Sequence, residues 1–382
     1  METPEQLIRN YVGDTVTFAT ATYKHLRKTP NTNFVSSPFS MEIFLILLRL
    51  GAKGATAHEL RTQLRQSTDL AKMESSVKTL ISMITQGGFY TFILANKLYV
   101  KDGCAIKESF KTLTEQMFSA YVENLDFNNP NSAAKLINAW IKNQTMGNID
   151  DVISGQQLTS SSRLVLVNSV YMNTMWNLKF TKEVATRTKF FTAENETVGS
   201  EYMVSRGCYK YYVYKTVARI VEIKFLSDEG AMFIVLPNTR EGLAEVEDVI
   251  AEILNVSVDE YQDAHVKIEL PEFKLSSLID FKSVLEECGV KKLFQASEAD
   301  LSGIAGGKGD LHVDAIFQKV HLKIDERGLE TTKKGPTPWH SIVPFIPATE
   351  KIVEFIVEHP FIFFIKIEDV VVFVGRVVNP SL

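Results

Sequence analysis

The chain reads Lys323-Ile-Asp-Glu-Arg-Gly328 near its end, continues through about thirty loop-like residues to His359-Pro360-Phe361, and then reads Phe373-Val-Gly-Arg-Val-Val-Asn-Pro380. Two dense hydrophobic strand patterns therefore flank a long segment with little internal hydrophobic period. Loops longer than about 12–15 residues inside a compact domain are mostly functional or disordered. The pattern points to a functional loop held between two strands.

Composition and charge restrict the class of protein. The chain has 382 residues, of which 45% are hydrophobic and 23% are charged, as is usual for a globular protein with a large core. The net charge of −5 argues against nucleic acid as a main partner. No apolar run approaches the ~20 residues that span a membrane. No linker-like stretch divides the chain, so we expect a single domain over residues 1–382.

The common motifs of catalysis and metal binding do not occur. The cysteines are odd in number and far apart, which gives neither a zinc spacing nor a disulfide framework, and we expect reduced thiols at Cys104, Cys208 and Cys288. There is no Gly-x-Ser-x-Gly elbow and no His-Glu-x-x-His pair. We therefore expect no enzymatic activity, no cofactor and no metal.

The N-terminus and the glycosylation sequons bear on location. Met1-Glu-Thr-Pro-Glu-Gln6 has neither a basic n-region nor an apolar h-region, so no signal peptide is expected. The chain is then either intracellular or a mature chain given a start Met. Sequons at Asn143, Asn195 and Asn255 favour a secreted glycoprotein, with the cytoplasm as the alternative.

Helical signals dominate the first half and strand signals the second. Thr3-Pro4 begins one helix, and Gly13-Asp14 is expected to kink or restart it. Ser37-Pro38 begins another, and Thr56-Ala-His-Glu59 reads as a capping box for a third. Later segments such as Arg163–Met172 are rich in β-branched and aromatic residues. Helices and strands occur in runs rather than in strict alternation, which predicts an α+β fold.

A series of motifs extends over nearly the whole chain in one order. They are Asn33-Phe-Val-Ser-Ser37-Pro38-Phe39-Ser40, Leu50-Gly-Ala-Lys-Gly54-Ala-Thr56, Val167-Asn168-Ser-Val-Tyr171 with Trp176 and Phe180, Leu236-Pro237-Asn238, Leu270-Pro271-Glu272-Phe273, Ala299-Asp-Leu-Ser-Gly303, and Asn379-Pro380. Together with the Glu326–Gly328 hinge they make the chain resemble the serpins, the serine protease inhibitor family. The resemblance implies three β-sheets, about nine helices and an exposed reactive-centre loop. In this family a protease cleaves the loop, which then inserts into the main sheet as a new strand.

The resemblance also assigns roles to two groups of residues. The hinge, where insertion begins, comprises Glu326, Gly328, Leu329, Thr331 and Lys333. The shutter, where small polar side chains let strands slide past the helix beneath the main sheet, comprises Ser37, Ser40, Asn168 and Gln318.

Two positions depart from the family pattern. Gln318 stands where a His is usual; Gln can still donate and accept hydrogen bonds to Ser37 and Asn168, but it does not titrate near neutral pH. Glu272 stands where Lys often faces the hinge Glu. Two carboxylates, Glu272 and Glu326, are then expected to repel each other and loosen the top of the sheet, unless a cation such as Lys274 compensates.

The loop sequence is poorly suited to full insertion. Side chains alternate between the faces of a strand, and the resemblance implies that Leu329, Thr331 and Lys333 would face the buried side. Leu329 is large for that position, and an unpaired Lys333 ammonium under the sheet would cost several kcal/mol. Pro336 and Pro338 would each remove a ladder hydrogen bond. We expect insertion to reach about Thr332 and to be slow or absent beyond it.

The cleaved bond is expected in the second half of the loop. Counting from the hinge at the family's spacing places it at Ile342-Val343, whereas Phe345 or Trp339 would suit a chymotrypsin-like protease. The apolar cluster from Trp339 to Val343 could instead pack on the body or bind a partner. The resemblance thus implies a monomeric inhibitor of a chymotrypsin- or elastase-like serine protease. The alternative is a non-inhibitory serpin that binds a ligand or a protein partner.

Overall fold

The computed structural model describes residues 4–65, 69–87, 89–118, 120–150, 152–182, 188–193, 196–226, 229–329 and 351–382. Within these ranges lie nine α-helices, as expected: α1 Pro4–Leu26, α2 Pro38–Gly51, α3 Gly54–Gln63, α4 Leu70–Thr85, α5 Glu108–Phe118, α6 Pro130–Gln144, α7 Leu243–Asp248, α8 Ile250–Asn255 and α9 Phe281–Glu287.

Sixteen strands lie within the described ranges, and eleven of them begin in the second half of the chain, where the sequence predicts most strands. They are β1 Phe34–Ser36, β2 Thr91–Lys101, β3 Tyr121–Leu125, β4 Leu164–Met175, β5 Lys189–Ala193, β6 Glu196–Gly199, β7 Tyr202–Tyr214, β8 Ala218–Lys224, β9 Gly230–Pro237, β10 Gln262–Pro271, β11 Phe273–Asp280, β12 Ala315–Asp325, β13 Gly328–Leu329, β14 Val353–Ile356, β15 Phe361–Ile367 and β16 Val370–Val377.

The strands of the described residues form three sheets. A six-stranded sheet, here called the central sheet, has the order β11-β12-β13-β4-β2-β3. An eight-stranded sheet has the order β1-β16-β15-β9-β8-β7-β10-β14, and β5 pairs with β6 alone. The strand pairing is mostly antiparallel and helices do not alternate strictly with strands, so the predicted α+β class is confirmed.

Helix α2 lies in the core between the two large sheets. Ser37 is its N-cap, accepting a hydrogen bond from Ser40 N, and Pro38 fills the first turn. Nearly every residue of α2 is buried, in one cluster with Leu166 of β4 and Ile234 of β9. A helix that is apolar on nearly all sides belongs in a core, and α2 accordingly lies beneath the central sheet. The Ser37-Pro38 pair fixes where this helix begins.

Two local predictions about helices are wrong. Helix α1 continues through Gly13-Asp14 without a break. Helix α3 begins at Gly54 rather than after Thr56, because tertiary partners take both groups of the supposed capping box. The Thr56 hydroxyl accepts a hydrogen bond from Asp300 N, and the Glu59 carboxylate accepts from the backbone of the Lys291–Lys292 segment.

Candidate functional site

The hinge begins a strand inside the central sheet. Gly328 and Leu329 form β13, which is antiparallel both to β12, with Ile324 opposite Leu329, and to β4, with Thr174 opposite Leu329. Leu329 has no exposed surface and belongs to the main hydrophobic cluster. The side chain lies on the buried side, as expected, and is accommodated there despite its size, while its role as a hinge residue stays a prediction.

Gly328 permits the close approach of β13 to β4. A Cβ on Gly328 would lie 2.1 Å from Thr174 O and 2.7 Å from Met175 Cα. The residue has φ of +155°, a backbone conformation that glycine adopts far more readily than other residues. No larger residue fits here unless the backbone of β13 or β4 moves.

Below Leu329 the central sheet is closed. Residues 315–320 of β12 pair directly, in parallel, with residues 165–170 of β4. A strand continuing from Leu329 has to separate these six residue pairs. We call this line of pairing the seam, and the place where β13 enters it the mouth of the seam.

Trp176 joins the two sides of the mouth. Its indole Nε1 donates to Asp325 O over 2.9 Å, and its backbone N donates to Arg327 O over 3.0 Å. The ring stacks on Phe225, with centroids 5.5 Å apart. The end of β4 is therefore tied to the turn after β12 by a rigid aromatic side chain.

The four predicted shutter residues meet beneath the seam, and none has appreciable exposed surface. Gln318 Nε2 donates to Ser37 O over 2.9 Å and to Asn168 Oδ1 over 2.8 Å. Gln318 Oε1 accepts from Ser37 N over 2.9 Å and from Ser36 Oγ over 2.8 Å. Asn168 Nδ2 donates to Ser40 Oγ. The amide of Gln318 thus uses both of its ends to connect α2 with the two strands of the seam.

Charged side chains gather at the mouth around Lys182. Its Nζ lies 2.7 Å from Glu272 Oε1, 3.1 Å from Glu201 Oε2 and 3.6 Å from Glu326 Oε2. Burial, together with a hydrogen bond to Glu326, raises the pKa of Glu272 above its usual range despite the nearby ammonium. A cation does compensate, but it is Lys182 and not Lys274, the example that the sequence offered.

The hydrogen bond between the two carboxyl groups raises the pKa of Glu272 and lowers the pKa of Glu326. Burial alone would raise the pKa of Glu326, but hydrogen bonds from its own backbone and from Glu272 lower it. The Glu272 carboxyl is therefore the member of the pair that holds a proton more readily.

The far end of the loop region is anchored in the eight-stranded sheet. Strand β14 lies parallel to β10, and the Arg219 guanidinium lies 5.7 Å from the Phe355 ring centroid. His359 is buried and donates from Nδ1 to Pro360 O over 3.3 Å; burial lowers its pKa. The two ends are thus held in different sheets.

Several predicted site residues lie outside the described residues. They are the hinge residues Thr331 and Lys333 and the reactive-bond residues Ile342, Val343 and Phe345. Their assignments stay predictions.

Sequence reasoning missed four residues that the structure places at the site. Lys182 and Glu201 belong to segments that the motifs did not cover, and Ser36 and Asn96 extend the shutter network, the latter by accepting from Asn168 Nδ2. Ser36 could have been found, since it lies inside the quoted Asn33–Ser40 motif. No local pattern marks Lys182.

Comparison with known proteins identifies the family. The family model described as serpin (serine protease inhibitor) matches residues 14–380. The chain belongs to the serpin family. Human serpin I2 is 32% identical over 372 residues, covering 95% of this chain and 90% of the relative. Antichymotrypsin-2 of Bombyx mori is 28% identical, covering 92% of each.

Solved structures agree with this assignment. The crystal structure of Serpin48, described as a highly specific serpin of the insect Tenebrio molitor, superposes with a TM-score of 0.88 at 35% identity, covering 97% of this serpin and 98% of that chain. The predicted serpin fold is confirmed. Among the described residues of this serpin, no helix combines the length and apolar character needed to cross a bilayer.

Proposed function

We propose that this serpin inhibits a serine protease by offering residues 330–350 as bait and then drawing the cleaved loop into the seam, with low efficiency. The observation that carries the proposal is β13: two hinge residues are already paired, in antiparallel register, between β12 and β4. Adding a strand to an existing sheet uses main-chain hydrogen bonds that every residue except proline can supply. The side chains then decide how far insertion proceeds.

The buried position of Leu329 supports an assignment of which later side chains would face the core if the loop inserts. Because faces alternate along a strand, Thr331 and Lys333 follow Leu329 on the buried side, and Lys334 faces out. An unpaired ammonium beneath the sheet costs several kcal/mol. Lys333 is therefore the residue that slows insertion and lets a protease complete hydrolysis before it is trapped.

Incubation with chymotrypsin, elastase and trypsin tests the proposal. A fraction of the chain should form an SDS-stable complex with a chymotrypsin- or elastase-like enzyme, while the rest is cleaved. Mass spectrometry of the released fragment separates cleavage at Ile342-Val343 from cleavage after Phe345. The name of the silkworm relative, antichymotrypsin, supports the choice of chymotrypsin.

A matched pair of variants tests the role of Lys333. Lys333→Ala should raise the trapped fraction severalfold, because it removes the charge from the buried face. Lys334→Ala removes the same charge from the outward face of the inserted strand and should leave the trapped fraction unchanged. Equal effects of the two variants would contradict the proposed orientation.

The second candidate function is a non-inhibitory serpin that binds a ligand or a protein partner. Lys333, Pro336 and Pro338 favour it, since each opposes a central strand. Cleavage across the panel with no complex, and no rise in melting temperature after cleavage, would select this alternative. A large rise after cleavage would show that insertion proceeds.

Secretion and glycosylation belong to the same proposal. Asn143 and Asn255 are exposed, but the Thr145 hydroxyl of the first sequon is buried and bonded to Ile141 O. We expect a glycan at Asn255, whose sequon includes the exposed Ser257. Expression in a secretory host, followed by mass measurement before and after enzymatic deglycosylation, tests this; an unmodified secreted chain would contradict it.

A further inference from the structure

A gap opens in the eight-stranded sheet where β7 changes its partner. Residues 211–214 of β7 pair with residues 218–221 of β8, whereas residues 202–211 of β7 pair with β10. The end of β8, residues 222–224, stays paired with β9 but is not paired with β7. Residues 208–210 of β7 therefore diverge from the end of β8, although the two strands are neighbours in the sheet.

The gap contains a cavity of about 250 Å³. Cys208–Lys210 of β7 and Glu222–Lys224 of β8 supply two of its walls, and Asn177, Leu178 and Asp263 complete the lining. The backbone N of Asn177 donates to Lys224 O over 3.0 Å, which fixes the segment after β4 against the end of β8. Pockets for drug-sized ligands usually measure about 300–1,000 Å³, so this cavity suits a smaller molecule.

Glu222 brings to this cavity a carboxylate that the protein does not satisfy. The residue is 6% exposed, and within the described ranges no group donates a hydrogen bond to its Oε2 atom. Burial raises the pKa of Glu222, although the charges of Lys224 and Lys210 act in the opposite direction. A buried acceptor without a donor is costly, so a ligand that donates to Oε2 would recover that cost.

The neighbouring lysines do not supply the missing donor. Lys210 Nζ pairs with Asp263 Oδ2 at 3.2 Å. Lys224 acts on Glu222 through its charge without donating to Oε2. An ionised carboxylate only accepts hydrogen bonds, and its strongest partners are charged N–H donors. The unused oxygen therefore favours a cation over a neutral or anionic ligand.

We propose that this cavity binds a small organic cation, an amine or amidine with a short apolar body, whose N–H groups donate to Glu222 Oε2. The apolar body contacts the other lining residues, among them Leu178, Tyr209 and Ile223. The inference goes beyond the proposed inhibition, because the site lies outside the seam and binding is measured without a protease.

Isothermal titration calorimetry with three ligands of one shape tests the preference for a cation. Benzamidine, benzamide and benzoate are positive, neutral and negative at neutral pH. Binding should be tightest for benzamidine and undetectable for benzoate. Glu222→Gln should weaken benzamidine binding by about ten- to hundredfold, the effect of losing a hydrogen bond to a charged group. This variant should melt no lower than the wild type, because it removes an unsatisfied buried charge.

A second variant changes affinity in the other direction. Lys210→Met removes a cation from the cavity wall and frees the carboxylate of Asp263, so it should tighten benzamidine binding severalfold. Because Lys210 is a partly exposed residue on β7, its removal should leave the fold intact. Weaker binding by this variant would contradict the charge argument.

Alkylation of the cysteines shows where the ligand binds. The exposed Cys208 lines the cavity, whereas Cys104 and Cys288 are partly exposed and lie outside it. Benzamidine should slow the reaction of Cys208 with iodoacetamide, read by peptide mass spectrometry, and leave the other two rates unchanged. The proposal is overturned if benzamidine does not bind at millimolar concentration, if benzoate binds as tightly, if Glu222→Gln leaves binding unchanged, or if bound benzamidine does not protect Cys208.

Discussion

Gly328 is the position at which one added methyl group should release the hinge from the central sheet. Its Cβ would lie 2.1 Å from Thr174 O and 2.7 Å from Met175 Cα. Both are backbone atoms of β4, which pairs with β2 up to Asn173, and Met175 O accepts a hydrogen bond from Leu226 N, so neither can easily move aside. Gly328→Ala should therefore make β13 incompatible with its place between β12 and β4.

The cost of Gly328→Ala is limited because β13 can leave the sheet instead of straining it. When β13 leaves the central sheet, the fully buried Leu329 side chain becomes exposed. Burial of such a side chain stabilises the fold by about 1.5–3 kcal/mol. The hydrogen bonds of so short a strand add about 0.5–1.5 kcal/mol each. We expect the free energy of unfolding to fall by about 2–4 kcal/mol, a range bounded by those two contributions.

Urea denaturation of three variants tests this reasoning. Leu329→Ala leaves the same space empty and should cost about 2–5 kcal/mol. If Gly328→Ala acts by expelling β13, the double variant should cost little more than the larger single change, because both remove the same contact. Full additivity would refute the expulsion of β13, and so would a Gly328→Ala protein as stable as the wild type.

Three further outcomes are expected elsewhere in the fold. Gln318→Ala leaves buried partners in the shutter unbonded and should cost about 3–5 kcal/mol in urea denaturation, at about 1–3 kcal/mol for each unsatisfied group; Gln318→His should cost less at neutral pH. Burial and nearby lysines lower the pKa of His321 to about 4, so the unfolded chain binds more protons in mild acid. Stability should then fall as the pH drops from about 6.5 to about 4, and His321→Gln should flatten that slope. Arg376 Nη1 lies 3.0 Å from the buried Glu247, and Arg376→Met should cost about 3–5 kcal/mol by leaving that carboxylate unpaired. A Glu247→Gln, Arg376→Met double variant that is no more stable than Arg376→Met would contradict that cause.

The parts of the site foreseen from sequence are those carried by local motifs. The Ser37-Pro38 pair carries the two local signals for a helix start, an N-cap and a proline in the first turn. This helix start places the backbone N–H of Ser37 where it donates to Gln318. The orientation of Leu329 was implied by the family resemblance, together with the alternation of side chains along a strand. In both cases the information lies within a few residues of the position concerned.

The failures come from tertiary contacts that no local pattern encodes. Thr56 and Glu59 have the spacing of a capping box, but backbone groups far along the chain compete for both side chains. Gly13 does not interrupt α1, since glycine in a helix costs only about 1 kcal/mol. Lys182 meets Glu272 because β4 and β10 lead to the same edge, and only the assembled sheets bring these two residues together.

The seam between β12 and β4 has a pairing pattern that bears on the proposed insertion of the cleaved loop. Its six residue pairs run in parallel, whereas β13 is antiparallel to both neighbours. An inserted strand therefore exchanges one parallel ladder for two antiparallel ladders, and antiparallel pairing is slightly more stable per residue. If the loop inserts as proposed, the reverse path has two ladders to break instead of one, and this favours retention of the inserted strand.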